Sequence, residues 1–491
     1  MFYQFSETRS TGNRLSSTPI HFLGDNSLLI IFSFCRPVIL DKGEAEIAQL
    51  LDRGKWSRER WWHRLTQVCH RWRYLIFDSA FHLQVSLVCA RGTPVADMLA
   101  HSPPVPLIID HIDDEYFLSS EDEEGIILAL QHRDRVRRIR IRKSVSIMRR
   151  LVIALQGEFP ILEHLLIEHQ CFHRPVINHI TNLSFPETFR APHLRHLVLE
   201  NFATPIDSPS LTTMTNLVTL ALSKIPSSAY FHPNEILQWL FLLPQLEEFS
   251  ISFSCYKPVE RQMLRTPMMT QVMLPNLRDF GFVGTTAYLE ALLPWITIPL
   301  LQRLHVYFFN RMVYTIPHLR QFMNTARYLR LKTAMFTFFE NHLSVVAYPH
   351  IGARVHTFSM ELGAKHLDWQ VVSAAQVFHA LKTVFSTVEH LTFEYDRHFL
   401  SSEWNRQADR TYWREFLGSF DKVKTLLVED ELVEQVSRAL KPGDGESPTE
   451  LLPELQVLAY PRSGTSRTFS PFIQFIDARQ KAGRPVTVNR F

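Results

Sequence analysis

The 491-residue sequence lacks most of the features that mark an enzyme, a secreted protein or a membrane protein. Only 16 glycines are present, and no G-x-G-x-x-G, phosphate-binding or G-x-S-x-G motif occurs, so nothing predicts nucleotide or serine-hydrolase chemistry. The five cysteines form no C-x-x-C pair, which argues against zinc ribbons and a disulfide framework. The most apolar stretches, such as Leu28–Cys35, are far shorter than the roughly 20 residues of a membrane span. We therefore expect a protein that is not an enzyme, needs no cofactor or metal, enters no membrane, and resides in the cytoplasm, the nucleus or both.

Neither sign of charge dominates the chain. Its 52 basic and 49 acidic residues give a net charge of +3, so no overall field would draw it onto nucleic acid, and we expect no nucleic-acid partner. Apolar residues make up 46% of the sequence, enough to build a large core. The first 19 residues are polar, and we predict that they are disordered.

What the sequence does contain is an unusual tryptophan-rich segment, WWHRLTQVCHRWRYLIF (Trp61–Phe77). On a helical wheel eight of its side chains fall within about 140° of arc, and its His, Arg and Gln side chains take the rest. The eight are Trp61, Trp62, Leu65, Val68, Cys69, Trp72, Leu75 and Ile76. The pattern predicts one amphipathic helix, either an ordinary core helix or a helix that a partner protein covers. Upstream, IHFLGDNSLLIIFSF (Ile20–Phe34) predicts a second short helix with Asp25 or Asn26 as its N-cap. Two such helices make a poor independent core, which favours the partner.

The two segments resemble the two ends of an F-box, whose pattern opens L-P-x-[ED]-[LVI]-L-x-x-I-F and closes V-C-R-x-W-R. The matching stretches are LGDNSLLIIF (Leu23–Phe32) and VCHRWRYLIF (Val68–Phe77). The first departs from the pattern at Gly24, Ser27 and Ile30. The long stretch between them, the GTPV at 92–95 and the FIDARQKAGRPVTV at 475–488 resemble the F-box families expanded in mushroom-forming fungi.

The resemblance implies an F-box-like helical domain over residues 20–80, with a long insertion at 36–60. Such a domain docks on a Skp-type adaptor and, through it, on a cullin-RING ubiquitin ligase. The residues that the resemblance places at the adaptor are Leu23, Gly24, Leu28, Leu29, Ile31, Phe32, Val68, Cys69, Trp72 and Leu75.

The rest of the chain contains a recurring pattern of apolar residues at x, x+3 and x+5. It is found in twelve units that start 23 to 35 residues apart, three of them weak. This L-x-x-L-x-L spacing is typical of a leucine-rich repeat, in which a short strand points alternate side chains inward. The units begin at Val136, Leu162, Leu194, Leu217, Leu246, Leu277, Leu301, Ala326, Val355, Val388, Val423 and Leu455.

We therefore predict an α/β protein, with a small helical F-box followed by an irregular, leucine-rich-repeat-like α/β solenoid over residues 81–491. The connecting segments NEILQWLFLLP (Asn234–Pro244) and AYLEALLPWI (Ala287–Ile296) favour helices. Another α/β arrangement would give a similar pattern, and the irregular spacing keeps that alternative open.

The residues between the repeat anchors would lie on the concave face of such a solenoid and could bind a target protein. Arginines recur there, and arginine suits an acidic or phosphorylated segment. The run RVRRIRIRK (Arg135–Lys143) is also explained by a solvated strand edge, and less well by a nucleic-acid patch, because no aromatic residues interleave with it. The acidic Asp113–Gly125 predicts a mobile loop. The target-binding candidates are Arg138, Arg140, Arg142, Arg303, His305, Tyr307 and Arg330.

Two functions are compatible with these patterns. In the first, the protein is the substrate-recognition subunit of a Skp-cullin-F-box ubiquitin ligase: the F-box docks on the adaptor and the solenoid binds an unknown target for ubiquitination. In the second, the departures at Gly24, Ser27 and Ile30 have spoiled docking, and a leucine-rich-repeat scaffold without a ubiquitin role remains. Neither function needs a catalytic residue in this chain, because an adaptor contributes proximity.

Overall fold

The computed structural model describes residues 19–35, 61–112, 118–169, 183–204, 208–254, 271–309, 315–396, 409–443, 446–461 and 471–490. The predicted N-terminal disorder, apart from residue 19, and the insertion at 36–60 lie outside these ranges. The chain forms two compact units: one comprises the described parts of Met1–Asp110 and Ser119–Arg137, and the other those of His111–Leu118 and Arg138–Phe491.

The first unit combines short helices with one pair of parallel strands. Trp62 joins them, because its indole Nε1 donates to the carbonyl of Ser86 (3.3 Å) just before the first strand. Leu87 and Cys89 of that strand pair with Leu107 and Ile109 of the next. The elements are α1 (Asp25–Phe34), α2 (Trp61–Thr66), α3 (His70–Asp78), β1 (Leu87–Cys89), α4 (Val95–His101), β2 (Leu107–His111) and α5 (Ser120–Gln131), with a 3-10 turn at Pro19–Phe22.

Helix α5 corrects one prediction, because the acidic run from Ser120 onward is helical and not a loop. The Ser119 hydroxyl accepts from the Asp122 N–H (3.0 Å), and acidic residues in a first turn suit the positive end of a helix dipole. Asp122 also accepts from the Gly92 N–H (2.7 Å), which explains its burial. Residues 113–117 lie outside the described ranges.

The second unit is built on a large, mostly parallel sheet, and its described residues form no closed barrel. Its strands are β3 (Val136–Lys143), β4 (His164–His169), β5 (Leu183–Ser184), β6 (His196–Glu200), β7 (Phe202–Ala203), β8 (Thr219–Ile225), β9 (Glu248–Phe253), β10 (Val272–Met273), β11 (Asp279–Gly284), β12 (Ile296–Thr297), β13 (Arg303–Phe308), β14 (Thr333–Phe338), β15 (His342–Tyr348), β16 (Phe358–Gly363), β17 (His390–Tyr395), β18 (Thr425–Val428), β19 (Val457–Tyr460) and β20 (Thr487–Arg490).

Helices connect most of these strands, as the sequence predicts for Asn234–Pro244 and Ala287–Ile296. Helix α8 begins with a capping box, in which the His232 ring accepts from the Asn234 N–H (3.1 Å) and Glu235 accepts from the His232 N–H (2.8 Å). The helices are α6 (Val145–Ala154), α7 (Pro209–Thr212), α8 (Pro233–Phe241), α9 (Thr286–Leu292), α10 (Pro317–Thr325), α11 (Leu367–Ala380), α12 (Lys382–Phe385), α13 (Arg410–Leu417), α14 (Asp430–Leu440) and α15 (Ile473–Lys481), with 3-10 turns at Ser227–Ala229 and Leu293–Trp295.

The large sheet of this unit has the strand order β3-β4-β6-β8-β9-β11-β13-β16-β15-β14-β17-β18-β19-β20. Its neighbours are parallel except where β15 lies antiparallel to both β14 and β16. Two small parallel sheets of two strands each, β5 with β7 and β10 with β12, are separate from the large sheet.

The predicted repeat anchors account for the core of the sheet. At β9, for example, Leu246 just before the strand and Phe249 and Ile251 within it are all buried, whereas Glu248 and Ser250 are half-buried. Alternation with period two places one set of side chains under the helices and the other on the opposite face of the sheet. We call that opposite face the polar face, and it carries the side chains at Arg138, His164, His196, Thr219, Glu248, Asp279 and Arg303 and every second residue after them.

Two of the weak repeat units are wrong in detail. The unit predicted from Ala326 is shifted, because the buried anchors are Leu331, Ala334 and Phe336, and β14 begins only at Thr333. The unit predicted from Val355 is in register, but Val355 itself is exposed. The sequence also gave no sign of β15, whose antiparallel pairing makes β14, β15 and β16 a meander that occupies the sheet in reverse order.

Candidate functional site

The tryptophan-rich segment is broken into two helices, so the prediction of one continuous helix is wrong. α2 ends at Thr66, Cys69 is extended (φ −161°, ψ 169°), and α3 begins at His70. The Thr66 hydroxyl donates to the His63 carbonyl (2.8 Å), and Arg73 Nε donates to the Thr66 carbonyl (3.0 Å). Arg73 therefore satisfies a carbonyl at the end of α2, where the helix has no further amide to offer.

Helix α1 packs on α3. The Phe32 and Trp72 rings meet edge to face at 4.9 Å. Arg71 links the same helices at the start of α1, because its Nη2 donates to the Leu23 carbonyl and to Asp25 Oδ1, both at 2.6 Å. The N-cap of α1 is Gly24, without a side-chain hydrogen bond, so the prediction of Asp25 or Asn26 as N-cap is wrong by one or two residues.

The predicted adaptor-contact residues fall into three groups by exposure. Leu28, Phe32 and Leu75 are buried within this chain and hold the helices together, so a partner could not reach them without rearrangement. Leu23, Leu29, Cys69 and Trp72 are half-buried. Gly24, Ile31 and Val68 are exposed.

An apolar surface remains on α1 that the prediction only partly included. At 100° per residue, Ile30, Ile31 and Phe34 lie within about 100° of arc, which also holds exposed Ser27. The centre of this arc is about 130° from the centre of the buried Leu28 and Phe32 pair. Ile30 is 57% exposed and Phe34 is 83% exposed. Exposed apolar side chains that cluster on one side of a helix mark a surface that a partner can cover. We call Ile30, Ile31 and Phe34 the α1 apolar strip.

On the second unit, a row of polar side chains crosses seven strands of the polar face in register. The His164 and His196 rings stack at 4.3 Å. The Thr219 hydroxyl lies 3.3 Å from Glu248 Oε2 and 3.1 Å from His196 Nδ1, so it links these two side chains. Burial lowers the pKa of His196, with Arg195 and Arg138 adding to the effect.

The row continues into a cluster around Asp279. Arg303 Nε lies 2.6 Å from Asp279 Oδ2, and His305 places Nε2 at 3.5 Å from Asp279 Oδ1 and Nδ1 at 2.8 Å from Ser359 Oγ. Burial lowers the pKa of His305, although Asp279 acts in the opposite direction. Burial raises the pKa of Glu248, and neighbouring Asp279 raises it further. These side chains are neutral or paired at pH 7, so the cluster stabilises the face and provides hydrogen-bonding groups.

The predicted target-binding arginines are mostly engaged within the sheet. Arg140 is buried, and Arg142 forms an ion pair with Glu168. Arg138 and His164 occupy neighbouring positions in the polar row. Arg303 is held by Asp279, as described above. The structure thus brings Arg138, Arg140, Arg142, Arg303, His305 and Tyr307 onto one face, but with little cationic charge left over.

Arg330 is the exception, because it precedes β14 and lies in an exposed loop, outside the polar face. The error follows from the shifted repeat unit at Ala326. Tyr307 does lie on the face, and burial together with the nearby Glu361 raises its pKa.

Other chemistry finds little support in the described part of the chain. No group of three or more His, Cys, Asp or Glu residues there could hold a metal ion. Within the same ranges no helix is both long and apolar enough to cross a membrane. A cleft of about 560 Å³ lies among Phe185, Thr204, Tyr230 and Phe231, but its Glu235 is committed to the cap of α8.

No protein-family model matches the chain, and no curated protein does either.

Proposed function

We propose that the protein is the substrate-recognition subunit of a Skp-cullin-F-box ubiquitin ligase. In this proposal the sheet of the second unit is an irregular, leucine-rich-repeat-like solenoid that binds the target. The first unit provides an F-box that docks on the Skp-type adaptor. The observation that carries the proposal is the α1 apolar strip, which leaves a helix of the F-box-like segment uncovered on one side.

The size of this surface sets an expectation for affinity. Complete burial of an Ile or Phe side chain is worth roughly 1.5 to 3 kcal/mol. The three residues of the strip and Val68 are partly covered already, so their burial would contribute about 4 to 7 kcal/mol before the costs of association. A micromolar complex requires about 8 kcal/mol net. Exposed Phe22 and Tyr74 must therefore take part if docking is stable.

The test is capture of the full chain by a purified Skp-type adaptor. Charged substitutions belong at exposed positions, because a charge at buried Leu28 would unfold the helix pair and give an uninformative loss. Ile30→Asp and Val68→Asp should each abolish capture and leave the circular dichroism spectrum and urea midpoint unchanged, because both side chains are more than half exposed. Ile351→Asp is the matched control, an exposed apolar residue of the second unit that should not affect capture.

Capture that survives both Ile30→Asp and Val68→Asp would remove the basis of the proposal. Folded wild-type protein that fails to bind the adaptor would favour the alternative, a repeat scaffold with a degenerate F-box and no ubiquitin role. The burial of Leu28, Phe32 and Leu75 favours this alternative, because it leaves fewer of the predicted contact residues accessible to an adaptor.

A further inference from the structure

The acidic side chains of the polar face fall into two groups. Those on β4 to β11 have cationic partners: Glu168 pairs with Arg142, Glu200 with Lys224 (2.6 Å), and Glu248 and Asp279 with Arg303. Glu361 on β16 and Glu394 on β17 have none among the Lys and Arg residues that the structure describes.

These two glutamates belong to one register row. Glu361 lies beside Ser344, Ser344 beside Thr337, and Thr337 beside Glu394. The Thr337 hydroxyl is 3.4 Å from Glu394 Oε2, the one short polar contact of that carboxylate within the described ranges. Adjacent strands lie about 4.8 Å apart, so the two glutamates stand roughly 14 Å apart with only two small hydroxyl side chains between them.

The neighbouring row on the same face of the sheet is less polar. Ser359, Val346 and Met335 follow one another across the same strands, and all three are half-buried. The aliphatic stem of a lysine or arginine can lie on such a surface while its charged group reaches a carboxylate. We call Glu361, Ser344, Thr337, Glu394, Val346 and Met335 the two-glutamate slot.

The electrostatic surroundings of the slot are negative. Burial raises the pKa of Glu394, and the charge of Glu429 raises it further. His342 is close to Glu361 and Asp396, yet burial lowers its pKa, so it supplies no positive charge at pH 7. Tyr307 on the other side of Glu361 is neutral at that pH. The groups that face the slot thus leave it short of a cation.

We propose that the two-glutamate slot binds an extended segment of a target protein through two Lys or Arg side chains. The inference rests on the proposed function for its choice of a protein target, and it replaces the acidic or phosphorylated target that the arginines suggested. An extended chain rises about 3.3 Å per residue, so two cations with three residues between them match the roughly 14 Å between the Glu361 and Glu394 positions in the sheet. The residue midway between them would face Ser344 and Thr337.

The test measures peptide binding to the full chain alone by fluorescence anisotropy. The probe is a fluorescein-labelled, nine-residue peptide of Gly, Ser and Val with two lysines separated by three residues. Two further peptides carry glutamate or phosphoserine in place of lysine. The dilysine peptide should bind most tightly, and its affinity should fall as NaCl is raised from about 50 to 500 mM, because salt screens exposed charges.

Glu361→Gln and Glu394→Gln remove charge and keep shape. Each should weaken the dilysine peptide about 5-fold, and the double variant about 25-fold. The double variant should be no less stable to urea, because the substitutions relieve repulsion. Glu434→Gln is the matched control on the exposed side of α14 and should leave binding unchanged. Equal binding of the three peptides, or an unaffected double variant, would overturn the inference.

Because no adaptor is present, the two proposals fail separately. A failure of the dilysine peptide to bind would leave adaptor capture unaffected, and a failure of adaptor capture would leave peptide binding unaffected. Tighter binding of the phosphoserine peptide would return the target assignment to the arginine-rich strands and would also overturn the slot.

Discussion

Replacing Gly24 by proline should stabilise helix α1. Gly24 has φ −66° and ψ 158°, and proline requires φ near −65°. A Cβ at this position would meet nothing within 4 Å. The Gly24 N–H donates to no described residue, so proline removes no hydrogen bond, while the Gly24 carbonyl still accepts from the Leu28 N–H (3.1 Å). The folded state therefore loses no hydrogen bond and meets no clash at position 24 itself.

The gain comes from the unfolded chain. Proline at a compatible position stabilises by about 0.4 to 1 kcal/mol because the unfolded state has fewer conformations to lose, and glycine is the most flexible residue to replace. We therefore expect about 1 kcal/mol for Gly24→Pro. One condition is that Leu23 adopts the extended backbone that precedes a proline. Arg71 holds the Leu23 carbonyl in place, so this condition bears directly on the outcome.

Amide hydrogen exchange read by mass spectrometry is the suitable assay, because it reports on Asp25–Phe34 separately from the second unit. When the helix opens and closes many times before an amide exchanges, the exchange rate follows the population of the open form. A gain of 1 kcal/mol then corresponds to about 5-fold slower exchange in α1. Gly352→Pro is the opposing control: its φ of +75° excludes proline, so exchange around it should accelerate. Unchanged or faster exchange in α1 of Gly24→Pro would refute the reasoning.

Two further predictions concern the second unit. Buried Arg479 donates to the carbonyls of Leu452 (3.2 Å), Pro453 (3.3 Å), Leu455 (3.0 Å) and Arg484 (3.3 Å), so Arg479→Lys should cost about 3 kcal/mol in urea unfolding, whereas exposed Arg438→Lys should cost almost nothing. Hydrogen bonds from Lys332 and Lys424 lower the pKa of Glu389 from 4.5 to about 2, so its stabilising effect is complete above pH 4.5 and disappears as the pH falls toward 2. Glu389→Gln should flatten a plot of stability against pH in that window, and a slope equal to that of the wild type would contradict the assignment.

The sequence predicted local features well where burial has a simple period. The buried residues of β9 recur with period two, and this alternation can be recognised from the few residues of the strand itself. The break at Cys69 was missed because a helical wheel assumes continuity, and the bond from Arg73 to the Thr66 carbonyl arises only after folding. The reversed order of β14, β15 and β16 left no trace in the spacing of apolar residues.

The candidate site could be predicted only in part, because charge depends on partners. The sequence placed Arg142 and Arg303 on the polar face, yet their neutralisation by Glu168 and Asp279 comes from strands 24 to 26 residues away. The lack of a cation near Glu361 and Glu394 likewise becomes visible only when the register of four strands is known. Single-sequence patterns identify the face of a side chain more readily than its partner.

The reversed meander affects the order in which the sheet can be completed during synthesis. Strand β13 is made first, but its neighbour is β16, which emerges about 50 residues later, after β14 and β15. The three strands of the meander contact one another locally and can pair before either outer edge joins the sheet. Until that happens, the Arg303–Phe308 edge of the growing chain is open to pairing with a foreign strand, and this stage is the one at which a chaperone would help most.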